Sequence, residues 1–325
     1  MAKKIIKRVV IGILCAILIF GLVILGQILY ILNCSKAIGS RLSFSRENNI
    51  ISVKDNEDIR ILQLSDTQIT ALGDSLKAFG VINRTVQKAK PDLIVLTGDN
   101  LMNDSTKMML RHYVRFFDAY KIPWAPVMGN HDYQTKMTME EQCEIYESGK
   151  YCLFQKGTVT DSYGNYYYNI SRNGNNVYSL IFMDDAVALT DEHIDWYADT
   201  INSIASSNGE VLPSWTFFHI PLVETYYAYY YAEDHGLEID GEKREGIAFQ
   251  WDDEGLFDKV EEMGSTKALI YGHDHINSFI CDYKGVKMCY GIKTGRTSYY
   301  DENIQGGNLF VLKSDSTFTV ERIFV

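Results

Sequence analysis

The sequence predicts an α/β domain carried behind one membrane-spanning helix. Three observations predict it: an apolar run from Val9 to Leu32, an alternation of short β-rich and longer helical patterns after residue 58, and strong metal-ligand and acid–base residues where the β-rich runs end. A hydrophobic content of 46% over 325 residues is enough for a substantial core and argues against disorder.

Residues 1–8 form a basic tail with Lys3, Lys4, Lys7 and Arg8. Residues 9–32 follow as the expected anchor, with Gln27 their only strongly polar member, and that length spans a bilayer as a helix. The run is about twice the usual apolar core of a cleaved signal peptide. No small-x-small cleavage site follows, so an uncleaved anchor is expected over a removed signal. Cys34 raises a lipid-anchored alternative, yet Ile31-Leu32-Asn33 lacks the small residues expected before a lipidated cysteine. Four basic residues before the span against Lys36 and Arg41 after it favour a cytoplasmic amino terminus, with the bulk of a cell-membrane protein outside.

Residues 33–57 read as a polar stalk and residues 58–325 as one domain. Residues 1–41 hold six Lys/Arg and no Asp/Glu, so of the overall charge of −11 the remainder carries −17. Such a domain has no general attraction for nucleic acid or for an anionic membrane surface, and nucleic-acid binding is not expected.

After the stalk, β-rich runs fall at Ile61–Ser65, Leu93–Thr97, Pro123–Met128, Val177–Met183, Trp215–His219 and Ala268–Tyr271. Helical patterns lie between them at Ser75–Ala89, Thr106–Tyr120, Asp191–Ser206 and Glu254–Met263. Ser278–Tyr283, Val286–Tyr290, Asn308–Leu312 and Phe318–Phe324 read as successive antiparallel strands. Thr225–Gln250 opens with Tyr226, Tyr227, Tyr229, Tyr230 and Tyr231 and reads as a long loop over one face. Its rings either stack on a base or sugar or serve as plain packing. Cys143/Cys152 and Cys281/Cys289 are locally spaced pairs without zinc-knuckle spacing, open to disulfide formation or to burial as free thiols.

The chemistry lies at the strand ends. Asp66 ends the first run in LSDTQ, Asp99 the second in LTGDN, and Asn130 and His131 the third in MGNHD. His219 follows in FFHIP, and His273 and His275 in IYGHDH. A lone Asp after a strand is ordinarily a turn or cap residue, and a lone His a hydrogen-bonded core residue. Five strand ends together point elsewhere, because open α/β sheets gather ligands at the carboxyl ends of their strands. Oxygen and imidazole ligands without thiolates suit cations such as Mn, Fe, Zn or Mg. There are more ligands than one catalytic ion needs, and a carboxylate such as Asp99 bridges two ions in sites that clamp a phosphoryl displacement.

These motifs, in this order and spacing, resemble the calcineurin-like metallophosphoesterase superfamily over residues 58–325. RILQLSD, HIPL, EGLFDKV, GHDHIN and Cys289-Tyr290-Gly291 are similar to its purple-acid-phosphatase-related branch. The resemblance implies a four-layer αββα sandwich of two mixed β-sheets flanked by helices. It also implies two divalent or trivalent ions, Mn, Fe or Zn. Asp66, Asp99 and His275 would hold one, and Asp99, Asn130, His219 and His273 the other. His131 would contact the phosphoryl group, and a hydroxide activated by the ions would attack phosphorus in line. The implied activity is hydrolysis of phosphate mono- or diesters. An outward face suggests small molecules, lipids or wall polymers as the phosphorylated substrates, and Tyr226, Tyr227 and Tyr229 of the long loop are the candidates to contact them. Two departures stand out. Most of the superfamily has Asp-x-His at the first motif, whereas Gln68 stands here and would be a weaker ligand. Met102 occupies the position of the purple enzymes' tyrosinate, so no purple band is expected. A non-catalytic binding protein on the same scaffold is the alternative.

Overall fold

A computed structural model describes residues 2–34, 37–54, 57–70, 73–251 and 254–325. In chain order the elements begin with α1 (Ala2–Cys34), β1 (Ser43–Ser45), β2 (Ile50–Val53), β3 (Ile59–Leu64), α2 (Gly73–Ala89), β4 (Leu93–Thr97), α3 (Lys107–Asp118) and β5 (Trp124–Val127). There follow α4 (Met139–Glu147), β6 (Tyr166–Arg172), β7 (Asn175–Phe182), α5 (Asp191–Asn208), β8 (Ser214–Phe217), α6 (Val223–His235) and β9 (Ile239–Asp240). The chain closes with α7 (Leu256–Met263), β10 (Thr266–Tyr271), β11 (Ile280–Tyr283), β12 (Val286–Tyr290), β13 (Gly306–Leu312) and β14 (Phe318–Phe324).

The strands form two mixed sheets. One has nine strands in the order β1-β2-β6-β7-β8-β10-β12-β11-β9, the other five in the order β14-β13-β3-β4-β5. The period of two splits the larger sheet's side chains between two cores. Leu180, Phe182, Trp215, Phe217, Ile270 and Cys289 join the cluster that contains the smaller sheet, α2, α3 and α4. Their neighbours Ile181, Phe218, Leu269, Tyr271, Cys281 and Met288 pack instead with α5, α6 and α7. The result is the four-layer αββα sandwich that the motifs led us to expect.

Where the two sheets meet, rings dominate. Trp215 of β8 lies 5.4 Å from Phe310 of β13 and 5.1 Å from Phe318, ring centre to ring centre. A polar rivet joins the same layers: the buried Gln63 Nε2 donates to Thr97 Oγ1 at 3.0 Å and, across to the other sheet, to the Tyr271 carbonyl at 2.9 Å.

Several sequence expectations need correction. Residues assigned to the stalk belong partly to the fold: β2 pairs in parallel with β6, with Ile51 and Val53 buried. The apolar signal is only four residues long within a polar stretch, too short to stand out. Residues 35, 36, 55 and 56 of that stretch, including Lys36, lie outside the described residues, as does the side chain of Cys34. The tyrosine-rich segment is not a loop over its first half, since Val223–His235 is helical. Its buried stripe is Thr225, Ala228 and Ala232, small residues at spacings of three and four, so the periodicity carries little hydrophobic weight. The last four strands are two hairpins, one in each sheet, with β12 also parallel to β10.

Cys143, Cys152, Cys281 and Cys289 are free and buried. For the second pair the register gives the reason: Cys281 faces Met288 and Cys289 faces Ile280, which turns the two thiols to opposite faces of the sheet. Helix α1 contains one stretch, Lys3–Gly26, long and apolar enough to cross a membrane, and a signal sequence meets the same description.

Replacing Trp215 by Ala removes the ring that joins the sheets and is expected to cost about 3–5 kcal/mol. The urea midpoint of the detergent-solubilised chain measures this. A loss below about 1 kcal/mol would show that the sheets do not depend on that contact.

Candidate metal centre

Five strand ends converge here: β3, β4 and β5 from the smaller sheet, β8 and β10 from the larger. Directly after them the chain turns sharply, and Asp66 (φ 51°), Gln68 (φ 46°), Asp99 (φ 50°) and His273 (φ 78°) all adopt left-handed backbone. Non-glycine residues pay about 1–2 kcal/mol for this conformation, and such strain concentrates at functional sites. Two glycines allow the turns to touch. A Cβ on Gly129 would sit 2.2 Å from the Asp99 amide nitrogen, and one on Gly272 would sit 1.9 Å from Ser65 Oγ.

Two carboxylates form the centre. Asp66 and Asp99 are each 1% exposed, and with His219 they place one ligand atom apiece within 4.8 Å of one another, a grouping able to hold a metal ion. His219 Nε2 lies 3.3 Å from Asp99 Oδ1, 3.2 Å from Asn130 Oδ1 and 3.3 Å from His273 Nδ1. His275 Nε2 lies 3.5 Å from Asp66 Oδ1. Both of these imidazoles are oriented from behind: His219 Nδ1 meets the Thr97 carbonyl at 2.9 Å and His275 Nδ1 the Tyr299 carbonyl at 3.0 Å. With Nδ1 as the donor, Nε2 is in each case the ring nitrogen turned toward the carboxylates.

The donors fit a cation. Asp66 Oδ2 accepts from Ser65 Oγ (2.5 Å) and from the His273 amide (3.2 Å), whereas buried Asp66 Oδ1 has no hydrogen-bond partner among the described residues. An orphaned carboxylate oxygen beside ring nitrogens is an acceptor without a donor, which is what a metal ion satisfies.

Charge follows the same logic. Burial opposes ionisation of Asp66, but His275 at 3.5 Å and the charges of His219 and Lys293 outweigh it and hold the acid well below its usual range. Burial alone would lower the His219 pKa, yet Asp99, Asp66 and Asp185 push it up to about 10. His273 goes the other way, to about 4, through burial and repulsion from His219. Asp132 accepts from the amides of Gly129 (2.8 Å), Asn100 (3.1 Å) and Leu101 (2.9 Å), tying the second strand end to the third. Asp185 does the same for the fourth, accepting from the amides of His219 and Ile220, both at 2.9 Å. Burial raises both acids to about 7.

The fold thus brings Asp66, Asp99, Asn130, His219, His273 and His275 into one connected cluster. His131 stands at its rim, 30% exposed, its amide donating to Asp99 Oδ1 at 2.8 Å and its Nε2 lying 3.8 Å from Asp99 Oδ2. Gln68 is turned the opposite way from a ligand: its Nε2 donates to Asp99 Oδ2 at 3.1 Å, and its Oε1 accepts from Lys293 Nζ at 2.6 Å. Tyr226 and Tyr227 are exposed on α6, and the Tyr226 and Tyr229 rings pack toward Phe249 and Phe279. Lys293, Asp132 and Asp185 escaped the sequence reading. The two acids lay within its reach, since Asp132 completes GNHD and Asp185 follows β7. A single lysine after Ile292 carries no such signal.

This fold and this cluster define a class, and comparison with known proteins agrees. Residues 59–277 match the family model for calcineurin-like phosphoesterase, and the chain belongs to that family. It is similar to "Probable inactive purple acid phosphatase 28" of Arabidopsis thaliana, 26% identical over 80% of this chain and 76% of that protein. It is also similar to "Probable inactive purple acid phosphatase 29" of Arabidopsis thaliana, 27% identical over 67% of this chain and 63% of that protein. "Phosphatase DCR2" of Saccharomyces cerevisiae is 30% identical over 65% of this chain, which spans 41% of its length. Among solved structures a dimetal phosphatase from Danio rerio shares the fold, with a TM-score of 0.53 at 13% identity over 82% of this chain and 99% of that one.

If His219 is a ligand, its raised pKa means that it sheds a proton on binding, so Mn²⁺ uptake is expected to release protons and to tighten up to about tenfold per pH unit between pH 6 and 8. Calorimetry in buffers of different ionisation enthalpy reads this directly. An affinity flat across that range would show that His219 is not a ligand.

Proposed function

We propose that the chain is a membrane-anchored phosphoesterase, its catalytic domain outside the cell, that hydrolyses phosphate mono- or diesters at a dinuclear centre. The orphaned Asp66 Oδ1, facing imidazoles whose other nitrogens are already satisfied, carries this reading. Asp66, Asp99 and His275 would hold one ion and Asp99, Asn130, His219 and His273 the other. Ions of Mn, Fe or Zn in these positions supply Lewis acidity toward the phosphoryl oxygens and lower the pKa of water.

The remaining work belongs to the chain's own groups. His131, anchored through Nδ1 on Gln134 Oε1 at 2.8 Å, presents Nε2 at the rim of the cluster, where it serves the phosphoryl group by electrostatic or general-acid work. Asp132 and Asp185 keep the strand ends in place by gathering their backbone amides. The charge of −17 outside the first 41 residues disfavours polyanionic nucleic acid, and the outward face suggests small phosphorylated molecules, lipid phosphates or wall-polymer phosphates as substrates. The apolar stretch of α1 supports the anchor, and the excess of lysine and arginine before it supports the orientation.

A second reading is a binding protein on the same scaffold without catalysis. Two observations favour it: the Arabidopsis relatives bear names that include "inactive", and the Gln68 oxygen is committed to Lys293.

Hydrolysis of p-nitrophenyl phosphate and of bis(p-nitrophenyl) phosphate by the detergent-solubilised, Mn²⁺-loaded chain decides between them. Asp99→Asn and His219→Ala are each expected to lower kcat/KM by about 10³ or more, with the circular dichroism spectrum retained. If the loaded wild type cleaves neither phosphomonoester nor phosphodiester, the enzyme reading fails and the binding protein stands.

A further inference from the structure

Resting on that dinuclear reading, we propose that Lys293 is a positioning residue that withdraws Gln68 from metal ligation and so makes the Asp66–His275 position the weaker of the two. Lys293 is 1% exposed, and its ammonium donates to Gln68 Oε1 at 2.6 Å and to the Asp66 carbonyl at 3.3 Å. On the other side of the amide, Gln68 Nε2 faces Asp99 Oδ2 at 3.1 Å and His275 Nε2 at 3.3 Å.

The orientation of an amide is commonly ambiguous, but here its neighbours fix it. An ammonium has no lone pair and can only donate, and an ionised carboxylate can only accept. Flipping Gln68 would set its NH₂ against the Lys293 ammonium and its oxygen against Asp99, losing both bonds. The glutamine therefore shows the site a donor where a ligand is needed.

Backbone fixes the lysine as firmly. The segment joining β12 to β13 crosses from one sheet to the other, and in passing it bonds the first strand end. Thr294 donates from its amide to the Ser65 carbonyl at 2.8 Å, and Gly295 to the Asp66 carbonyl at 3.1 Å. A Cβ on Gly295 would lie 2.4 Å from both the Asp66 and the Thr67 oxygens, so the segment sits flush against the strand end. Lys293 is thus held beside Asp66 by its own backbone. Its charge also opposes a second cation at Asp66 and His275.

Mn²⁺ titration calorimetry on the detergent-solubilised full chain, with metal content measured after desalting, tests this without reference to turnover. The wild type is expected to bind in one tight and one weak phase. Lys293→Met frees Gln68 Oε1 to turn inward and removes the charge, and is expected to tighten the weak phase at least tenfold. Gln68→Met is expected to leave that phase within threefold of wild type, because the amide is not a ligand; it decides the matter alone if Lys293→Met does not fold. A tenfold or greater weakening in Gln68→Met, or a weak phase unmoved in Lys293→Met, overturns the proposal while leaving two ions bound. Two equally tight phases in the wild type overturn it as well. If neither wild type nor variants bind Mn²⁺, the dinuclear reading falls and this proposal with it.

Discussion

Two buried carboxylates of like charge, Asp66 and Asp99, set the terms for everything around them. Neither stays ionised in a dry site unless positive charge or hydrogen-bond donors surround it. The chain answers with His219 and Lys293 as nearby cations, with the His275 ring 3.5 Å from Asp66, and with amide donors from His131 and His273. Those partners must come from different strands of two different sheets. The left-handed turns at Asp66, Asp99 and His273, and the glycines that let turns touch, are the backbone consequence.

The sandwich in turn supports this arrangement. Gln63 and Trp215 link the two sheets by opposite means, one a buried polar bridge and the other a ring packed against two others. A shift of either sheet would separate His219 and His273 from Asp66 and Asp99 and leave charge exposed to the apolar interior. Asp132 and Asp185 act at shorter range, each collecting amides that would otherwise point at nothing. Packing and site are therefore one problem, since the carboxylates need the sheets aligned and the aligned sheets bring the carboxylates together.

Much of this was legible in the chain. Strand ends are visible because an apolar run stops at a chemically active residue, which located Asp66, Asp99, Asn130, His131, His219, His273 and His275 without any coordinates. Helix α6 was not visible, since its buried stripe of Thr225, Ala228 and Ala232 lacks bulk and its tyrosines point elsewhere. The short strands β1 and β2 were hidden by polar neighbours, and only the pairing of β2 with β6 and of β1 with β2 reveals them. Lys293 was hidden for a different reason. Its meaning comes from a residue 225 positions away, and no local pattern announces a contact of that kind. The sequence did mark Gln68 as out of place; the lysine explains how the place is filled.

One consequence of placing Lys293 and His219 beside these acids concerns timing. Many metal sites are built from acids that repel one another until the ion arrives, and such proteins fold only when loaded. Here the negative charge is already balanced by groups the chain carries itself. Folding on this arrangement need not wait for an ion, because the acids that would otherwise repel one another already have partners of opposite charge within the chain.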